Sequence, residues 1–210
     1  MQKTIVKTAL ITVLILLSVL FLGVFSIFAF APKLSAKVSY DLGMKKLSSS
    51  CYERVYAKTG EMEDLIMVVD SAVYAEKTDA IIEYGTELFN TFATTSEFYD
   101  FCQKGDANLA EGAYSTYDYY SNTVFMALYS QNKKAEAATL AIRHMVEYNE
   151  NSVLKTAYRL ADPTVDKAFG DLLVSTYKAS MKEINTSYYA IFVKEMKAYK
   201  DADGNAVYKI

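Results

Sequence analysis

The chain holds one histidine, His144, and two cysteines, Cys51 and Cys102. Imidazole and thiol titrate closest to neutral pH, so chemistry is sought there first. Together they can form a nucleophile–base pair. No local cysteine-protease signature surrounds either cysteine, and one His without His or Cys partners at ligand spacing makes a poor zinc site. His144 has Glu147 one turn on, and the plainer expectation is a packed or groove-facing helix residue. Asp201, Asp203 and Gly204 share part of a calcium-loop pattern, but Tyr199 and Ile210 stand where that loop needs its first acid and its closing Glu. No phosphate-cradling glycine loop, nucleophile elbow or metalloprotease helix is present. Glu83, Glu87 and Glu147 would serve a hydrolase or transferase only if one deep pocket gathered several acids. The expectation is no catalytic residue, no metal site and no cofactor.

The remaining chemistry is aromatic. There are 18 tyrosines and no tryptophan. A phenol buries its ring while keeping its hydroxyl wet, which suits half-buried helix faces and binding surfaces. Tyr114, Tyr117, Tyr119 and Tyr120 form the densest cluster. At helical spacing Tyr117 and Tyr120 share a face with Val124, while Tyr119 points elsewhere. Tyr117, Tyr119 and Tyr120, with Tyr84 and His144, are the candidate partner-binding residues. Core packing for two of the rings is the competing expectation.

The elements that would position these residues read as helices throughout. Only two prolines occur, Pro32 and Pro163, and glycine is scarce, so little breaks a helix. Apolar spacing predicts a helix from Pro32 nearly to residue 58, bent at Gly43 or at Ser48-Ser49-Ser50 and stopped by Thr59-Gly60. Further helices are predicted from Met62 to Ala75, from a cap at Asp79, from a cap at Ser96, over Leu109–Ser130, over Lys133–Tyr148 and over Ser152–Leu160. Asp162-Pro163 starts another, and Lys182–Tyr199 is the last. Asp203-Gly204-Asn205 reads as a turn before a short extended piece.

Between Lys7 and Lys33 lie 25 residues without a charge. At about 1.5 Å per residue that run spans a bilayer's hydrocarbon core. It exceeds a secretory signal core, and Pro32 directly follows the small-x-small run Ala29-Phe30-Ala31, which hinders cleavage there. Residues 1–7 are therefore expected to be a basic head, 8–32 a retained signal-anchor helix in the lipid bilayer, 33–200 a folded helical domain and 201–210 a tail. The short basic head followed at once by an apolar helix has the form of an export signal and puts the domain outside the cytoplasm. Lys33, Lys37, Lys45 and Lys46 after the run argue the other way when positive charges alone are counted.

Outside the first 32 residues there are 20 basic and 25 acidic side chains, since Lys3 and Lys7 are the only earlier charges. A net charge of −5 argues against a nucleic-acid partner and against strong attraction to anionic lipid. Cys51 and Cys102 are either one disulfide or two buried thiols; spacing alone does not decide.

Two segments look alike. Tyr56-Ala57-Lys58-Thr59-Gly60-Glu61 and Tyr129-Ser130-Gln131-Asn132-Lys133 each read as helix end, turn, helix start, with Gly60 and Asn132 in the same turn place 72 residues apart. A two-helix unit of about 34–36 residues is the period of tetratricopeptide-type arrays. Both segments resemble the middle of such a repeat, and Ala137 and Ala141, with Ala72 in the earlier unit, fall near where that family keeps small residues for helix packing. The family's early Trp, Leu and Gly and its closing Pro have no match, and residues 80–117 carry no turn signature. The resemblance covers 46–79 and 118–151. It implies an all-α fold: a transmembrane helix, then a tetratricopeptide-like array of antiparallel hairpins. An irregular bundle is the alternative. Such an array implies a non-catalytic scaffold that binds a protein or peptide at the membrane surface. A sensory or structural ectodomain and a carboxylate enzyme are the alternatives.

Overall fold

A computed structural model describes residues 2–107, 109–110, 115–147, 152–180 and 186–210. Tyr114, Tyr148 and Ile184 lie outside them. The described chain is all-α: α1 (Gln2–Phe30), α2 (Pro32–Asp41), α3 (Lys45–Thr59), α4 (Met62–Tyr74), α5 (Thr78–Phe92), α6 (Ser96–Asp106), α7 (Thr116–Ser130), α8 (Lys134–Glu147), α9 (Ser152–Leu160), α10 (Pro163–Ser180) and α11 (Thr186–Ala198). Eleven described helices are compatible with a helical-repeat fold. They divide into two compact units, residues 1–77 and 78–210.

In the first unit α2 packs on α3 and α3 on α4. Small residues allow the approach. Ser35, Ala36, Ser39, Ser48 and Ser49 are all buried, and the Ser48 hydroxyl donates to the Ala36 carbonyl across the α2–α3 seam at 3.1 Å. The serines expected to bend the helix are therefore its packing face. The break falls at Gly43 instead, in the left-handed conformation at φ 70°. α4 buries Leu65, Val68, Val69 and Ala72, one stripe at helical spacing. Asp64 is 1% exposed and is satisfied by Lys33 at 2.9 Å and by the Thr59 hydroxyl at 2.9 Å. The hydrogen bond to Asp64 raises the Lys33 pKa.

Among the described residues no helix is long and apolar enough to cross a membrane, so the span expected over 8–32 is unsupported on that criterion. The described side chains of α1 are 10–23, 25 and 26. Its large apolar ones are all exposed, from Val13 at 54% to Phe21 at 74%.

In the second unit α5 packs on α7, α6 on α7, α7 on α8 and α9, α8 on α9 and α10, and α9 on α10. Gly85 lets α5 reach α7, where a Cβ would collide with Val124. Ala137 and Ala141 on α8 are fully buried. α10 is interrupted at Asp166 (φ −154°, ψ 81°). That carboxylate accepts the Phe169 N–H at 3.0 Å, the Tyr129 hydroxyl at 2.7 Å and Lys134 Nζ at 2.6 Å, joining α7, α8 and α10. Lys134 above all holds the Asp166 carboxyl down to about 2. The tail turns back through a single bridge, Lys200 with Ala206, and buries Tyr208 over Gly170. The Tyr208 hydroxyl donates to the Ala161 carbonyl.

Three helix starts differ from the sequence reading. α5 begins at Thr78, so Asp79, expected as its cap, lies inside the first turn. Thr95, not Ser96, caps α6, accepting the Phe98 N–H at 3.2 Å. α7 begins at Thr116 rather than near Leu109, because Ser115 accepts the Asp118 N–H and Asp106 accepts the Thr116 N–H at 2.6 Å. Cys51 and Cys102 are buried and are not joined by a disulfide. Burial pushes the Cys51 pKa up.

Gly60 and Asn132 are both left-handed, at φ 64° and 60°, but they are different turns. Gly60 closes α3 with one bond, its N–H to the Tyr56 carbonyl. Asn132 sits in a paired arrangement, with Asn132 N–H to Tyr129 O and Lys133 N–H to Leu128 O. The same pair recurs at Gly43 (to Tyr40, and Met44 to Ser39) and at Glu76 (to Val73, and Lys77 to Ala72). These three are Schellman caps. Gly43 and Glu76 lie 33 residues apart, close to one repeat length.

Candidate functional site

α6 is amphipathic at close range. Phe98 and Cys102 fall one turn apart and are buried. The adjoining stripe, Tyr99, Gln103 and Asp106, at i, i+4 and i+7, faces a pocket of about 480 Å³. Ala93 and Thr94 before α6, Ser115 and Tyr117 at the start of α7, and Glu147 from the end of α8 complete its wall. Gly105 permits the geometry, since a side chain there would strike Thr116 and hold α6 away from α7. That approach brings Asp106 onto the Thr116 N–H. Tyr99 is 63% exposed.

Behind the pocket lies an aromatic cluster around His144. The imidazole is fully buried, 4.6 Å from the Phe89 ring centroid and 5.6 Å from that of Tyr117. Its Nδ1 is 3.0 Å from the Tyr117 hydroxyl oxygen. Burial first, and the Arg143 charge second, hold its pKa down to about 3. The buried imidazole packs against Phe89 and is set against the Tyr117 hydroxyl.

The sequence-predicted residues are thus divided. Tyr117 lines the pocket and His144 supports it from behind. Tyr120 is 5% exposed and in edge contact with Tyr119, which is 43% exposed. Tyr84 is half-buried on α5. Of the three glutamates considered for catalysis only Glu147 reaches the pocket, where Asp106 joins it. Both acids are engaged, Glu147 with Arg143 Nε at 2.6 Å and Asp106 with Thr116. Phe98, Tyr99 and Asp106 were not anticipated. Their only signal was Phe98-Tyr99 and Phe101-Cys102 within one short amphipathic helix.

A second cleft, about 330 Å³, lies between α9 and α11, lined by Tyr158, Lys155, Arg159, Ile191 and Glu195. Burial pushes the Tyr158 pKa up. Among the described residues no group of three or more metal-ligating side chains converges.

No family model, curated protein or solved structure matches this chain. What stands is an all-α chain compatible with a helical-repeat fold, carrying a pocket lined by aromatic rings and acids in its second unit.

Proposed function

We propose that this chain is a membrane-tethered helical-repeat domain that binds another protein, without catalysis, at the extracytoplasmic face of the membrane. One observation carries the tether: α1 continues for 29 residues with its described large apolar side chains exposed. Soluble monomers rarely leave so large a contiguous apolar surface in water. Each such side chain gains about 1.5–3 kcal/mol on burial, so lipid would stabilise α1 by on the order of 20 kcal/mol. Helices α5–α10 pack on next or next-but-one neighbours, as stacked hairpins do, and the 33-residue interval between Gly43 and Glu76 supports a repeat.

Alkaline carbonate extraction of membranes tests the tether. The full chain is expected to stay in the pellet and a chain lacking residues 2–31 to leave it; release of the full chain refutes the anchor. A reporter that is active only in the cytoplasm, fused after Ile210, is expected to be silent. Photo-crosslinkers at exposed Thr94 and Thr139 are expected to give a discrete protein adduct from at least one site. No adduct from either would count against partner binding.

A further inference from the structure

Building on that partner-binding reading, we propose that the pocket between α6, α7 and α8 receives an arginine or lysine side chain of the partner. Its volume, about 480 Å³, lies in the range of sites that enclose small ligands and leaves room for a long cationic side chain.

The lining is one-sided in charge. Among the described residues Asp106 and Glu147 are its charged members, and none is basic. Both acids end helices, α6 at Asp106 and α8 at Glu147. Helix C-termini carry partial negative charge and favour cations. Two helix N-termini reach the pocket, those of α6 and α7, and both are capped: Thr95 accepts the Phe98 N–H at the first. Asp106 accepts the Thr116 N–H and Ser115 accepts the Asp118 N–H. Arg143 Nε holds Glu147 Oε2, and neither Arg143 nor Lys104 of α6 is among the residues that line the pocket. Asp106 therefore supplies most of the uncompensated charge.

The aromatic lining fits the same occupant. Tyr99 and half-buried Tyr117 are there, and Tyr117 is fixed by its contacts with His144 and with Phe98, centroid separation 6.1 Å. A guanidinium or ammonium gains from aromatic faces, and a guanidinium also stacks on them. The net charge of −5 over residues 33–210 draws a basic partner from a distance.

The test uses the full chain in mild-detergent micelles. The probe is the acetylated tripeptide amide Gly-Arg-Gly, and its twin carries neutral, isosteric citrulline. Binding is followed by NMR shifts. The arginine peptide is expected to bind about tenfold more tightly than the citrulline peptide, an advantage that shrinks in high salt. Tyr99→Ala and Asp106→Asn should each weaken it about fivefold or more, and Glu83→Gln, on an exposed residue away from the pocket, should not. Tyr99 is exposed and asparagine still offers an oxygen to the Thr116 N–H, so both variants keep the fold, checked by unchanged melting. Equal binding of the two peptides, or parental binding by both variants, overturns the proposal. An arginine peptide that fails while the cross-linked adduct persists removes this inference and leaves partner binding standing. A peptide that binds while no adduct forms keeps the pocket chemistry and removes the functional reading.

Discussion

Replacing Gly170 with alanine should unfold the chain more easily, and removing Tyr208 should reverse the sign. A Cβ at position 170 would fall on the Tyr208 ring and hydroxyl, and the farthest of the three atoms it meets, Cε1, is only 2.6 Å away. The ring is 2% exposed and its hydroxyl is tied to the Ala161 carbonyl, so it cannot slide aside and must leave its site. Expelling a buried aromatic costs about 3–5 kcal/mol. Alanine returns about 1 kcal/mol of helix propensity relative to glycine. The single change should therefore destabilise by about 2–4 kcal/mol. In a Tyr208→Ala background the obstacle is gone, and Gly170→Ala should be neutral or stabilising by up to about 1 kcal/mol. Tyr208→Phe, which loses about 1 kcal/mol of hydrogen bond but keeps the ring, should leave Gly170→Ala as harmful as before. Urea unfolding of the full chain in detergent, followed by circular dichroism, gives all five values. An equal cost of Gly170→Ala with and without the Tyr208 ring would falsify the reasoning, because the ring would not be what excludes the side chain.

Further outcomes follow from other packed groups. His144 is held to about 3 in the folded chain against about 6.5 unfolded. Its contribution is complete above pH 6.5 and fades as the pH falls toward 3, by about 1.4 kcal/mol per unit; His144→Phe should flatten that slope in melting measured against pH. Asp166, held to about 2, contributes above about pH 3.9, and this is lost as the pH falls through 2. Its partner Tyr129, raised to about 12 by burial first and by the Asp166 hydrogen bond second, contributes below about pH 10 and loses this as the pH rises through 12. Asp166→Ala should cost about 2 kcal/mol by removing a cap and orphaning Tyr129, while Asp166→Asn should keep the cap and cost less. Tyr120→Ala should lower the melting temperature clearly and Tyr119→Ala hardly at all; equal effects would mean that the two rings share one environment.

What the sequence reveals is local chemistry. Gly60 stops a helix and Pro163 starts one because each residue type has a backbone preference of its own. Glu76 is left-handed without any such preference; the α4 cap imposes φ 56° on it, so composition gives no hint. That is why Gly60 and Asn132 look like equivalent turns, while the backbone hydrogen bonds group Asn132 with Gly43 and Glu76. The start of α7 was misplaced because Leu109 and Ala110 fit the helical pattern, whereas Asp106 and Ser115 both hold backbone N–H groups at 116–118. Tyr117 and His144 were legible as helix-face residues. That they meet, and that Tyr99 and Asp106 stand in front of them, depends on α6 returning across the start of α7. No spacing within a single helix records that.

A single residue, Ala31 at φ −125° and ψ 66°, separates α1 from α2. For a chain held in a bilayer by α1, that joint sets the reach of α2, α3 and α4, the rest of the same unit. There is no slack to pay out, so a partner of that unit floating free in the surrounding fluid would have to come down to the lipid surface. A partner confined to the same membrane would be sought in two dimensions rather than three, at far higher encounter frequency. The joint therefore selects for company by altitude, and lengthening it by a few glycines would trade that selectivity for range.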